Sequence, residues 1–502
     1  MSEKKKTICF IHYGIGWKDG VNAVLTGLAK EIKEQNPDLR ICFLGGEIER
    51  RILKGNTLYK TVPELIPRRR RGKLNKKDLK KESLVIAKKI AEETKNMDVV
   101  VIENPFLGTY HLPAMVGFSL YASQYKSKDT KVFFRVHDLY SDSPQYFKNL
   151  QRLISPSEIR DIVKGRGVDG FLVIDSIIRT NLVKVGVPRK KISYLPNGID
   201  SSKFSRKLSK REKTSVVKNL EIPLEHKKKA KLLVYPVRVV PRKNIEEAIF
   251  LTYFIREITN NNYILVISGK IDENDRLSSG YYKKLKELIN LADIPVVFVK
   301  KGFSFNRRLG PRGKIKEYSV SDLYQVSSSI VMTSLREGFG YPFLECWFAK
   351  KIIIGRRTPN VITSFERNGL NFKWLYRSFL IPEKVSSKDG PEKYFEKISS
   401  RFKWLYNIFL IPEKFFLKPR KAEHLERVIK AIKVFKDPKL KKETWELNKK
   451  IIARQARLLQ NSKKQKQIIR NNFKAVKKIY EISKITKSFL SLVKLDEKDK
   501  SS

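Results

Sequence analysis

The stretch SLREGFGYPFLECWFAK, which begins at Ser334, sets Glu337 and Glu345 eight residues apart around Gly338-Phe339-Gly340. The run before it, SSSIVMTS, reads as a buried strand ending at Glu337. Gly338 and Gly340 permit a tight turn with exposed amides, and Pro342 suits the first turn of a helix that carries Glu345. Two carboxylates so placed can take hydroxyls from two parts of one elongated ligand. The amides between them can hold a phosphate or a further hydroxyl. Neither acid has the second carboxylate of a hydrolytic acid/base pair. With no Cys/His cluster in the chain, no metal site is expected.

A second pair of candidates lies upstream, where the strand LLVYPV runs into RVVPRKN. Arg238 and Lys243 stand five residues apart, beyond the strand end and before the helix NIEEAIF. Two cations beside a helix N-terminus form a receptor for a diphosphate. The plainer alternative is a pair of surface cations, since the chain holds 105 Lys and Arg against 52 Asp and Glu, a formal charge of +53.

That charge invites a nucleic-acid reading, but the basic residues run through nearly every helix-like segment instead of forming one tail. Such a spread also suits an anionic membrane surface or a nucleotide-bearing substrate, and specific nucleic-acid binding is not expected. The densest run, PRRRRGKLNKKDLKKE from Pro67, is read as a solvated loop and helix start or as a contact with an anionic surface. Cys9, Cys42 and Cys346 are far apart in apolar settings and read as buried thiols in a reducing compartment. MSEKKKTICFIHYG reads as a first strand, not a signal peptide, and no apolar run is long enough to span a membrane. The expected location is cytoplasmic, with peripheral contact at the inner membrane face as an option.

The elements that must position these residues fall into two α/β sets. TICFI, RICFLGG, DVVVIEN, KVFFRVHD, GFLVIDS and KISYLP alternate with helical patterns and predict a first parallel sheet. KLLVYPV, YILVIS, IPVVFVK, SSSIVMTS and KKIIIG predict a second. With 502 residues and 41% apolar composition the chain can supply both cores. The expected organisation is an acceptor-side domain over 1–200, a basic interdomain segment over 201–230 and a nucleotide-binding domain over 231–420. A helical basic region over 421–502 is expected to pack back on the first domain, with Ile469, Phe473, Val476 and Tyr480 as its apolar stripe. Within 371–414 lies a near-repeat: NFKWLYRSFLIPEK from Asn371 and RFKWLYNIFLIPEK from Arg401. They agree at eleven of fourteen positions, which points to one duplicated unit with Trp374 and Trp404 in equivalent settings. Two copies do not make a solenoid.

EGFGYPFLE resembles the E-x7-E signature of retaining glycosyltransferase family 4, whose GT-B architecture sets two Rossmann-like domains around a central cleft. RVVPRK is similar to that family's Arg and Lys pair, FRVHDLY to its first-domain strand with the active-site histidine, and YLPNGID to the phrase that closes the first domain. HYGIGWKDGVNAVL corresponds to its first loop, where Asp19-Gly20 stands for the usual Gly-Gly. The segment after residue 355 looks more like the branch with mannosylglucosylglycerate-type synthases. The resemblance implies that Glu345 binds the ribose and Glu337 the transferred sugar, while Arg238 and Lys243 stabilise the departing diphosphate. His137 would position a donor-sugar hydroxyl, and Gly20, Gly338, Phe339 and Gly340 would line the donor. It implies a nucleotide-diphosphate sugar as donor, a small-molecule, glycan or lipid-linked acceptor, and no cofactor or essential metal. The competing readings are a basic nucleic-acid-binding protein and a non-catalytic scaffold on the same fold.

Overall fold

The computed structural model describes residues 5–495 except 18, 50, 51, 54, 56, 68–73, 140–151, 270–275, 300–302, 305, 306 and 383–422. The Arg68–Arg71 run and the second copy of the near-repeat, with Trp404, lie outside the described residues.

The chain divides into two compact units. The first holds seven strands: β1 (Thr7–Ile15), β2 (Arg40–Ile48), β3 (Thr57–Thr61), β4 (Val99–Glu103), β5 (Lys131–Val136), β6 (Gly170–Val173) and β7 (Ile192–Tyr194). All neighbours pair in parallel, in the order β3-β2-β1-β4-β5-β6-β7. Every residue of β1 and β4 is buried, so these strands read as continuous apolar runs without alternation. β3 was not expected. Its sequence TLYKT has few apolar residues, because an edge strand buries only part of its surface.

The second unit begins at Ser201. Its parallel sheet comprises β8 (Lys231–Tyr235), β9 (Tyr263–Ile267), β10 (Val296–Phe298), β14 (Ser329–Met332) and β15 (Ile353–Gly355), in the order β10-β9-β8-β14-β15. A small separate sheet joins β11 (Phe303–Ser304), β12 (Arg308–Leu309) and β13 (Ile315–Ser319). In both units the sheet starts at its centre and grows outward on either side. That order puts the ends of adjacent strands at a topological switch point, where such sheets hold ligands.

Two expectations about organisation need correction. Residues 201–230 are not an interdomain segment: their short helices and the turns between them bury Leu208, Val216, Leu220 and Ile222, and they belong to the second unit. Nor does the whole region from 421 pack on the first unit. The helices Glu423–Lys436, Pro438–Gln460 and Ser462–Ile479 belong to the second. Phe435 stacks on Phe250 at 4.9 Å, Trp445 meets Phe254 at 5.5 Å, and Phe473 meets Phe348 edge-on at 6.0 Å. The apolar stripe containing Phe473 and Val476 therefore serves that core, with Asn472 bonding the amide and carbonyl of Asn371 at 2.9 Å each.

Among the described residues the chain rejoins the first unit from Tyr480. Ile199 and Tyr480 share a backbone bond of 2.7 Å, and Ile482 returns one of 3.0 Å to Ile199. A Cβ on Gly198 would lie 2.9 Å from the Ile482 Cα, so glycine is needed there for close passage of the tail. The helix Ile482–Leu492 then buries Ile485 and Phe489 in the core, with Phe489 5.9 Å from Phe10.

Candidate functional site

In the second unit the chain leaves β8, makes a single 3-10 turn at Pro241–Lys243, and enters the helix Ile245–Thr259 through Asn244, which has φ +53°. Asn244 holds this unusual backbone because its side chain donates to the Thr333 carbonyl at 3.1 Å and to Glu247 at 2.7 Å. The Thr333 hydroxyl answers by donating to the Asn244 carbonyl at 2.8 Å. Tyr235 ties the same two segments, its hydroxyl bonding the Lys243 carbonyl and, at 2.9 Å, Ser334. The turn after β8 and the loop after β14 are thereby locked together.

This lock explains a further correction. The strand does not run to Glu337; β14 ends at Met332. Thr333 and Ser334 spend their polar groups on the turn after β8 instead of the sheet ladder, so Glu337 sits in a loop directed by that turn. The result is a pair not foreseen in sequence: Lys243 Nζ lies 2.6 and 2.5 Å from the two carboxylate oxygens of Glu337, both residues buried. Burial lowers the Lys243 pKa to about 8. The Glu337 charge opposes that shift, and the nearby cations Arg242 and Arg238 add to it. Arg238 itself is exposed. Thus the two sequence-predicted cations share one loop but differ in setting.

Gly340 has φ +82°, and a Cβ there would stand 3.1 Å from both Val361 and Phe343, so the turn demands glycine. Gly338 has neither constraint, with no atom within 4 Å of an added Cβ. Phe339 is buried against Phe365 at 5.7 Å, which anchors the turn between the two glycines. Pro342 opens the short helix Pro342–Phe348 as expected, and Glu345 lies in its first turn. There it accepts a bond of 3.0 Å from the buried Tyr324 hydroxyl. Desolvation raises the Glu345 pKa, while the Tyr324 bond and the Lys203 charge oppose the rise.

In the first unit His137 follows β5 and is buried, its Nε2 2.5 Å from a carboxylate oxygen of Glu103, the last residue of β4. Arg135, fully buried one strand position earlier on the same face, sets Nη1 3.4 Å from Glu103 and donates from Nη2 to Asn197 at 3.2 Å. Asn197 belongs to the PNGID phrase, so two motifs distant in sequence meet through one guanidinium. Burial alone would raise the Glu103 pKa; the Arg135 charge and the His137 bond outweigh it and hold the carboxyl below its ordinary value. Burial lowers the His137 pKa despite Glu103. Glu103 was missed in sequence. Its signal was an acid closing an otherwise apolar run, VVVIE.

At the first loop Asp19 caps the helix Gly20–Gln35, accepting from the Asn22 amide at 2.8 Å, which gives this position a structural use for Asp. Gly20 follows with nothing within 4 Å of an added Cβ. His12 is buried within β1, three residues before its end, its Nδ1 2.9 Å from the Gly14 carbonyl. His111 is bonded to the Glu64 carbonyl at 2.7 Å. Among the described residues no group of three or more His, Cys, Asp or Glu could hold a metal ion. No described helix is long and apolar enough to cross a membrane.

Comparison with known proteins accords with the motifs. Residues 18–203 match the model of Glycosyltransferase Family 4, a span that includes His137 and the PNGID phrase. Mannosylglucosyl-3-phosphoglycerate synthase of Petrotoga mobilis is 28% identical over 224 residues, 43% of this chain and 39% of that protein. Mannosylglucosylglycerate synthase of the same organism is 26% identical over 280 residues, 52% and 60% of the two chains. The chain thus spans less than two thirds of either relative. A glycosyltransferase from Rickettsia africae, 13% identical, superposes with a TM-score of 0.57 over 99% of this chain and 100% of that one. The α/β fold is that of the GT-B glycosyltransferases.

Proposed function

We propose that this chain, whose residues 18–203 match glycosyltransferase family 4, moves a hexose from a nucleotide-diphosphate sugar to an acceptor hydroxyl with retention, forming an α-glycosidic bond. One observation carries this reading: Lys243 and Glu337 meet as a buried pair on a locked loop, with Arg238 on the same loop and Glu345 eight residues beyond Glu337. A nucleic-acid-binding protein gains nothing by desolvating that pair, because an unpaired surface lysine binds phosphate as well.

In this reading the cations meet negative charge as the diphosphate departs, and being already fixed they need no reorganisation at that moment. Glu337 then plays two parts, holding Lys243 and offering its carboxylate to the transferred sugar. Glu345 takes the ribose hydroxyls. Its position on the helix beyond Gly340 separates it from Glu337 along the ligand. Gly338 and Gly20, which neither backbone angle nor packing requires to be glycine, leave main chain open to close approach of the donor. His137, held by Glu103, is the residue given to a donor-sugar hydroxyl. Because the cations are borne by the protein, no divalent ion is needed, and turnover should persist in EDTA.

The test is hydrolysis of a panel of UDP-, GDP- and ADP-sugars by the purified chain. Release of nucleoside diphosphate from one donor class, weakened in Glu345→Gln at the level of donor affinity, supports the reading. Absence of turnover with every donor, together with no nucleotide-sugar binding by calorimetry, would reject it.

A further inference from the structure

We propose that the edge formed by the ends of β1 and β2 and by the helix Gly108–Leu120 is a carbohydrate-stacking subsite. In it the Trp17 ring takes the apolar face of a pyranose, the Tyr110 ring set edge-on to it walls one side, and Glu47 takes hydroxyls. The inference rests on the glycosyltransferase reading and assigns this sugar to the acceptor.

The platform is built from the strand register upward. Gly14 of β1 lies opposite Glu47 of β2 in the parallel pairing. A Cβ on Gly14 would fall 1.9 Å from Trp17 Cε2, so the bare strand is what lets the indole lie down on it. Trp17 Nε1 donates to Glu47 Oε1 at 2.6 Å, which fixes the ring. His12 meets the indole edge-on at 6.1 Å from below. Tyr110 stands edge-on to Trp17 at 6.2 Å and to Tyr13 at 5.1 Å. The Glu47 charge reaches it as well, adding to burial in raising its pKa.

A core cluster would bury these rings. Here Tyr110 is 41% exposed, Trp17 is half-buried, and the indole's one polar atom is bound to an exposed carboxylate. Beneath them the Tyr13 hydroxyl, in a residue only 1% exposed, has no hydrogen-bond partner among the described residues. Oriented rings beside a carboxylate suit a ligand with one C–H face and a rim of hydroxyls, the chemistry of a pyranose. A phosphate or another anion would meet repulsion from Glu47. His12, edge-on to the indole, also interacts electrostatically with Glu103 and His137. A sugar on Trp17 therefore lies on the unit that also carries His137, the acceptor side of this reading.

Saturation-transfer NMR on the full chain, with methyl α-D-glucopyranoside, mannopyranoside and galactopyranoside as probes and glycerol as the acyclic control, tests the subsite. Ring protons of at least one pyranoside should receive saturation while glycerol does not. Affinity should fall roughly tenfold in Trp17→Ala and in Tyr110→Ala, and recover in Trp17→Phe, which keeps a ring. Tyr110 is exposed enough that its variant should fold even where Trp17→Ala does not. No transfer to any pyranoside, or wild-type affinity in both folded alanine variants, overturns the proposal. Donor hydrolysis by the wild type separates the two readings. Turnover without pyranoside binding removes only the subsite. Pyranoside binding without turnover of any nucleotide-sugar leaves a sugar-binding edge but removes the transferase.

Discussion

Each unit holds a buried ion pair, the first within the strand ends of its sheet and the second in loops beyond them, and the two pairs are built differently. In the first, Glu103 faces both His137 and a fully buried Arg135, and the guanidinium is pinned in turn by Asn197. In the second, Lys243 and Glu337 face each other, with further cations only nearby. Arg135 cannot lose its proton, and its charge holds the Glu103 carboxyl below its ordinary value, so this pair keeps both charges well into acid. Lys243 can lose its proton near pH 8, so its charge is conditional. The difference teaches where each unit is vulnerable: the first to loss of a carboxylate, the second to loss of a proton.

The largest effect should come from Glu103→Ala, which strands the Arg135 guanidinium in the core. We expect a loss of about 3–5 kcal/mol by urea unfolding, the usual result of breaking a buried pair. Glu103→Gln keeps an acceptor and should lose less. If the alanine variant unfolds like wild type, the first pair is not structural and the contrast fails.

Next in size are Lys243→Ala and Arg238→Ala, each expected to lower turnover roughly 10²–10³-fold through a missing cation at the diphosphate. Their stabilities should diverge. Lys243→Ala leaves Glu337 unpaired and should melt lower, whereas Arg238 is exposed and its loss should leave the melting temperature unchanged. Equal melting losses would show that burial does not distinguish the two cations.

A smaller effect separates the two acids. Glu345→Gln should weaken donor binding by roughly 1.5–3 kcal/mol in calorimetric titration. Glu337→Gln should act on the single-turnover rate, since a contact made at the reaction centre favours the transition state. Matching kinetic signatures in both would mean that the acids do not address different parts of one donor.

The smallest effect is on pH dependence, and the two pairs should respond on opposite sides of neutrality. Lys243 has a folded pKa of about 8 against an ordinary 10.5, so above pH 8 the unfolded chain binds the extra proton. Its burial penalty is complete below pH 8 and is relieved as pH rises toward 10.5. Wild type should therefore gain stability over that range relative to the double variant Lys243→Met, Glu337→Gln, even as turnover falls with the lost charge. His137 and Glu103 are both lowered, so acid acts the other way. As pH falls below 6.5 the unfolded histidine takes a proton that the folded one resists, and the stability held by Glu103 is lost as pH drops through its lowered pKa. Parallel melts and initial rates from pH 4.5 to 10 check both arms, and a turnover plateau from pH 8 to 10 would contradict the role given to Lys243.

Much of this molecule is written locally. Parallel strands buried on both faces must be continuous apolar runs, which is why TICFI, VVVIE and YILVI announce themselves, and a Pro after a glycine turn marks a helix start at residue 342. Arg238, Lys243, Glu337 and Glu345 are likewise visible from type and spacing. Their partnership is not, because it depends on Tyr235, Asn244 and Thr333 tying the loops after β8 and β14 across about ninety residues of chain. The same holds for Glu103, whose meaning arises only when β4 and β5 lie side by side and bring Arg135 and His137 against it. It holds for the C-terminal helices too: an apolar stripe says that a face must be covered, not which core covers it. Period and residue type are properties of a segment and can be read from it. The choice of partner is a property of packing, and only the folded chain makes it.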